Sequence, residues 1–189
     1  MERSHSGRVR TLGKRVRVTP SRVRIPLSPQ PMKERHINIQ QYSPAYKDQV
    51  RTVIGTTLAD ISVLDREDLP IDDPDLEKID EIYSGKGRFW VALEDDRVVG
   101  TVAIRDLGDN VATLNRMFVL VDQHGSGVGQ RLFDEAMGFA QEQGYTKVVL
   151  NTHELMGRAH HFYEKNGFVR IGKTGDKFHY EKTISPQTI

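Results

Sequence analysis

Cysteine is absent from the 189 residues. That excludes disulfides, thiolate metal sites and a cysteine nucleophile, and it suits a reducing cytoplasm, where the protein is expected. Long apolar runs are lacking as well. None approaches the ~18 residues that a membrane span requires, so no membrane association is expected. Acidic residues are scarce at one end. Residues 1–31 hold eight basic side chains (Arg3, Arg8, Arg10, Lys14, Arg15, Arg17, Arg22, Arg24) against Glu2, a balance of seven positive charges. Of 27 basic and 26 acidic residues in all, 19 and 25 therefore remain in 32–189, and the net charge of +1 conceals a body at −6. An acidic body mildly favours cationic partners such as amines.

Residues 1–31 show neither helix nor strand periodicity, and Pro20, Pro26, Pro29 and Pro31 interrupt their second half. A nucleic-acid-binding basic arm and an organelle leader both fit the charge. The preferred expectation is that this tail is a translated non-coding sequence. Ser21-Arg22-Val23-Arg24-Ile25-Pro26 can be encoded by TCC-CGG-GTT-CGA-ATC-CC, which resembles the T-arm of transfer RNA genes. On that reading Met32 is the start, residues 32–189 form one domain, and nucleic acid is not an expected partner.

In the body, Ile37–Gln40 alternates as a strand, and Ser43-Pro44 predicts a capped helix through Leu58. Asp60 to Asp80 reads as a charged, solvated surface loop, with an acidic rim for a cationic acceptor as the lesser alternative. Arg88–Leu93, Arg97–Arg105 and Leu114–Val121 predict an antiparallel meander. Val128, Leu132, Ala136 and Ala140, with Phe133 and Met137 beside them, predict a long helix that Gly144 stops. Lys147–Thr152, Phe168–Ile171 and Lys177–Thr183 read as strands, and Gly157–Asn166 as a shorter helix. The class is α+β: a mixed, mostly antiparallel sheet of six to seven strands flanked by about four helices.

Between the third meander strand and the long helix stands His124-Gly125-Ser126-Gly127-Val128-Gly129. Strand, glycine loop and helix in that order leave backbone N–H groups free at a helix N-terminus, where anionic oxygens are attracted. Glycine admits positive φ and a close approach to a diphosphate. Only Ser126 is available as a side-chain cap. A P-loop needs Lys and Ser/Thr after its last glycine, but Gln130 and Arg131 follow. The dinucleotide fingerprint needs two residues between its second and third glycines, but only Val128 intervenes. A tight turn with no ligand remains the plain alternative.

The loop resembles motif A of the GNAT superfamily of N-acetyltransferases (Arg/Gln-x-x-Gly-x-Gly/Ala). Ala159-His160-His161-Phe162-Tyr163-Glu164-Lys165-Asn166-Gly167-Phe168 resembles the same family's motif B, one strand later, in the family's order. The resemblance runs from about His36 to Thr183. It implies a sheet that splays after the fourth strand, where the pantetheine arm of acetyl-CoA pairs with the backbone of Met117, Phe118 and Val119. It also implies that His124, Gly125, Ser126, Gly127, Val128, Gly129 and Gln130 hold the diphosphate. His124 replaces the family's usual Arg or Gln, which removes a permanent charge. Tyr163 matches the position whose hydroxyl lies near the thioester sulfur and would act as acid, with core packing as its alternative role. The base is open. Asn115 and Arg116 stand near where relatives carry a carboxylate, His153 is a candidate because imidazole titrates near neutrality, with a loop histidine or helix-capping group as its plain alternative, and a water relay is a third route. Met156 stands where Asn is common. His153, His160 and His161 do not form a metal pattern, and no metal is expected.

The implied reaction is direct transfer from acetyl-CoA to the amine of a small molecule or peptide. A catalytically weak acyl-CoA-binding regulatory module is the alternative. Family members often pair, so a homodimer fits the resemblance.

Overall fold

The structure is a computed structural model that describes residues 36–63, 65, 71 and 73–185. The expectations for residues 1–31 lie outside them. The chain divides into residues 1–34 and 35–189, and every described strand and helix belongs to the second unit.

Seven strands form one sheet: β1 (Ile37–Gln41), β2 (Arg88–Glu94), β3 (Arg97–Asp106), β4 (Val111–Val119), β5 (Lys147–His153), β6 (Val169–Thr174) and β7 (Lys177–Thr183). Their order is β1-β2-β3-β4-β5-β7-β6, and only β4 and β5 run parallel. Short polar turns explain the antiparallel pairs. Asp95, with φ of 53°, closes the β2–β3 hairpin, and Asp109 and Asn110 take positive φ before β4. The parallel pair needs a crossover, and a helix supplies it.

Five α-helices are described: α1 (Lys47–Asp60), α2 (Pro74–Glu77), α3 (Ile79–Ile82), α4 (Val128–Glu142) and α5 (Gly157–Lys165). Pro44–Tyr46 forms a 3-10 turn ahead of α1, and Ser43, expected to cap the helix, makes no side-chain cap bond. The sheet separates two apolar layers. On one face, Val128, Leu132, Ala136 and Ala140 of α4 pack with Tyr163 of α5, Trp90, Ala112, Leu114 and Tyr180. On the other, Val50, Val53 and Ile54 of α1 pack with Leu76, Ile79, Tyr83, Val91 and Ala103. β2 and β3 are buried on both faces, which is why they read as nearly unbroken apolar runs.

The solvated loop expected at 60–80 is corrected in its second half. Asp73 caps α2 by accepting from the Asp75 amide at 3.0 Å, and Leu76 and Ile79 are buried. Two buried apolar side chains three apart help to fold a charged stretch onto the sheet. β4 also begins three residues before the predicted Leu114 and ends at Val119, followed by a 3-10 turn at Val121–Gln123.

Candidate active site

β4 and β5 pair over only three residues, Val111–Thr113 against Lys147–Val149. Beyond that point the β5-facing backbone of β4 has no partner strand. Met117, Phe118 and Val119 lie on this free stretch, with Met117 and Val119 packed toward the α4 layer and Phe118 toward the α1 layer.

A bulge reverses the pleat just before them. Thr101 pairs with Phe118 and Ala103 with Asn115, so three steps along β4 match two along β3. Arg116 takes φ of 53° at the extra position, and the Thr101 hydroxyl donates to its carbonyl at 2.7 Å. Regular alternation would send Arg116 to the side of Leu114, into the apolar α4 layer. The bulge turns it to the α1–α3 side instead. There its guanidinium donates to Asp73 Oδ2 at 2.6 Å and to Asp75 Oδ2 at 3.1 Å. Burial pulls the Arg116 pKa down, but the bond and charge of Asp73 outweigh it, and the net shift is upward. The Tyr83 hydroxyl lies buried beside that guanidinium without a hydrogen bond of regular geometry.

After β4 the glycine loop leads into α4. Gly125 and Gly127 take φ of 82° and 88°, and Gly127 is the N-cap with no side-chain cap bond. Ser126 serves both the loop and the helix start: its hydroxyl donates to the Gln123 carbonyl at 2.6 Å and accepts, at 3.5 Å, from the Val128 amide. Among the described residues, the amides of Gly125, Gly127, Gly129 and Gln130 find no acceptor. A Cβ at Gly129 would touch Val119 Cγ2 at 3.7 Å, so the helix start lies directly against the end of β4. At Gly100 of β3 the packing is tighter still, since a Cβ would lie 2.9 Å from Leu132 Cδ1 and 3.1 Å from the Phe118 carbonyl.

Two side chains of the loop are already engaged. His124 Nε2–H donates to the Val119 carbonyl at 3.1 Å, folding the ring onto β4. Gln130 Nε2 donates to Asp134 Oδ1 at 2.8 Å and Asn166 Oδ1 at 3.0 Å, which joins α4 to the end of α5. Backbone, not side chain, is what this loop offers an anion.

Tyr163 sits on α5 with its ring edge-on to Phe168, the centroids 5.8 Å apart, and it is 6% exposed. Its hydroxyl has no hydrogen-bond partner among the described residues, and burial pushes its pKa up. The phenol adds a donor that packing alone does not require, because a phenylalanine would fill the same space. Its neighbour Tyr180 is the opposite case. The Tyr180 hydroxyl donates to Glu164 Oε1 at 3.1 Å, accepts from Arg170 Nε at 2.9 Å and lies 3.0 Å from His160 Nδ1.

His153, the candidate base, is engaged at both ring nitrogens. Its Nδ1 accepts from the Leu155 amide at 3.2 Å, so the proton is on Nε2, which faces Asp176 Oδ2 at 2.9 Å. Neither nitrogen retains a lone pair for an amine, and the ring instead ties the end of β5 to the β6–β7 turn. Met156 takes the Thr152 hydroxyl on its sulfur at 3.3 Å ahead of α5.

Arg116, Asp73 and Tyr83 were not foreseen as a group. The available signal was the adjacent polar pair Asn115-Arg116, which ends the alternation of residues 112–115 as a bulge does.

Residues 85–170 match the family model described as an acetyltransferase (GNAT) domain. An N-acetylaspartate synthetase of Xenopus tropicalis is 36% identical over 101 residues, which are 52% of this chain and 37% of that protein. A protein of Mus musculus named probable N-acetyltransferase family 8 member 5 is 32% identical over 133 residues, 68% of this chain and 51% of that protein. The chain thus spans 37% and 51% of the length of these two curated relatives. The crystal structure of an acetyltransferase from Streptococcus agalactiae 2603 superposes with a TM-score of 0.69 and 31% identity, covering 78% of this chain and 98% of that one. The fold is therefore shared with a solved acetyltransferase over nearly that protein's whole length, and the chain belongs to the GNAT superfamily of N-acetyltransferases.

Proposed function

We propose that the chain transfers the acetyl group of acetyl-CoA directly to a primary amine of a small molecule or peptide. The observation that carries this reading is the parting of β4 from β5 after Thr113, immediately beside unpaired amides at the start of α4. A diphosphate on those amides sets the pantetheine arm along Met117, Phe118 and Val119 as an added strand. The amine nitrogen attacks the thioester carbon, the C–S bond breaks, and the thiolate takes the Tyr163 hydroxyl proton. The amine's surplus proton leaves through water, since His153 is occupied.

The acceptor class is read from chemistry and kinship together. The relative from Xenopus tropicalis is named for acetylating aspartate, whose nucleophile is an α-amine. A panel of amino acids, polyamines and peptide N-termini, followed by release of the CoA thiol, tests the reading. Thiol release on one or more amines supports it. Acetyl-CoA binding with no release on any amine favours the regulatory module, a reading that the occupied His153 also fits.

The loop makes a further expectation. A Cβ on Gly127 meets nothing within 4 Å, so a substitution there is opposed by its left-handed backbone alone. That conformation costs a non-glycine residue ~1–2 kcal/mol. Gly127→Ala is expected to weaken acetyl-CoA binding by about five- to thirtyfold, measured by isothermal titration.

A further inference from the structure

We infer that Arg116 is a positioning residue: by gripping Asp73 and Asp75 it fixes the segment from α2 to Tyr83 against the strand that carries the coenzyme, and so sets the amine's approach to the thioester. The inference rests on the function proposed above.

The glycine loop and α4 occupy one face of the parted sheet, so a coenzyme anchored there fills the gap from that side. The attacking amine must then arrive from the other face, where α1, α2 and α3 lie. On that face the bulge of β4 presents Arg116, whose guanidinium side chain is only 18% exposed. Its two bonds end on Asp73 and Asp75, 43 and 41 residues earlier in the chain.

Those partners are not ordinary surface charges. Asp73 accepts the Asp75 amide through Oδ1 and the Arg116 guanidinium through Oδ2, so one carboxylate both starts α2 and ties it down. α2 and α3 are four residues each, too short to hold a position by their own hydrogen bonds. Their fixation falls to buried Leu76 and Ile79, to the ion pairs of Glu77 with Lys47 and Arg51, and to this clamp. The Tyr83 phenol beside the guanidinium adds a ring that packs edge-on to Phe89, centroids 5.4 Å apart. Arg suits the task because its planar fork reaches two carboxylates at once, and the bulge is the device that aims it.

Asp73→Asn is the sharpest test, because Asn retains the helix cap and loses only the ion pair. With the best amine from the panel, Asp73→Asn and Arg116→Met should each raise the acceptor KM at least about tenfold, while the acetyl-CoA Kd stays within about twofold. Arg116→Lys should recover only part of the loss, since one ammonium cannot fork both partners. Hydrogen exchange of the full chain should quicken in residues 74–83 and remain unchanged in 128–142 for the Asp73→Asn and Arg116→Met variants. An unaltered acceptor KM, or an equal loss of acetyl-CoA affinity, overturns the inference. Should the wild type neither bind acetyl-CoA nor release thiol, the functional reading fails instead. Exchange then decides the clamp by itself, and unchanged rates in 74–83 overturn it.

Discussion

Replacing Tyr163 by phenylalanine is expected to lower kcat by ~10²–10⁴ while leaving the acetyl-CoA Kd nearly unchanged. The size follows from what the hydroxyl does. It contributes no hydrogen bond to the fold, so its removal costs no protein contact, and the ring that packs against Phe168 and Tyr180 is retained. Only the proposed donor to the departing sulfur disappears, which makes the loss a transition-state loss of ~2.7–5.5 kcal/mol. Burial raises the Tyr163 pKa above its ordinary value near 10, so the phenol keeps its proton throughout a neutral and mildly alkaline assay. The sign is plain: a pKa moved upward cannot place a falling alkaline limb below pH ~10. The pH–rate profile should therefore show no Tyr163 limb there, and the variant should lie below wild type by a constant factor. An unchanged kcat removes Tyr163 from the chemistry. The paired control is Tyr180→Phe, which breaks bonds to Glu164 and Arg170 without touching the donor.

What the sequence made legible divides along physical lines. α4 was readable because its apolar side chains repeat at fourfold spacing over fifteen residues, a signal that only one side-chain environment explains. β7 was readable to its exact bounds, and Gly144 and Gly167 marked helix ends that the structure confirms with φ of 80° and 84°. The glycine loop was legible for a related reason: positive φ at Gly125 and Gly127 is a backbone demand, and glycine positions are written in the sequence. Side-chain roles were not. For His153 nothing local reveals that Asp176, 23 residues on, faces its second nitrogen. Arg116 looked like a departure from a pattern, when the bulge had moved it to the other face of the sheet. The charged stretch from Asp60 to Asp80 looked solvated because charge dominates it, while Leu76 and Ile79 bury in its second half. Composition was a poor guide wherever two buried side chains outweighed many exposed ones.

Trp90→Ala is expected to destabilise the fold by ~3–5 kcal/mol, the range for removing a large aromatic from a packed core. Trp90 is 2% exposed at the centre of β2, paired with Gln41 of β1 on one side and Val102 of β3 on the other. Its indole meets Phe139 of α4 edge-on, centroids 5.1 Å apart, and the Arg88 guanidinium covers the Phe139 ring at 4.4 Å. Truncation thus removes the contact that anchors the C-terminal half of α4 to the sheet and leaves a cavity that neighbouring strands, held by their ladders, can close only in part. The expected site of damage is selective. Gly127 and the first turn of α4 are held separately, by Val128 and Leu132 in the core and by Gly129 against Val119. Urea denaturation should therefore show a large fall in midpoint, while acetyl-CoA titration well below the transition should give an affinity close to wild type. A matching loss of affinity at low temperature would mean that α4 moves as one rigid rod and that the coenzyme site depends on packing two to three turns away.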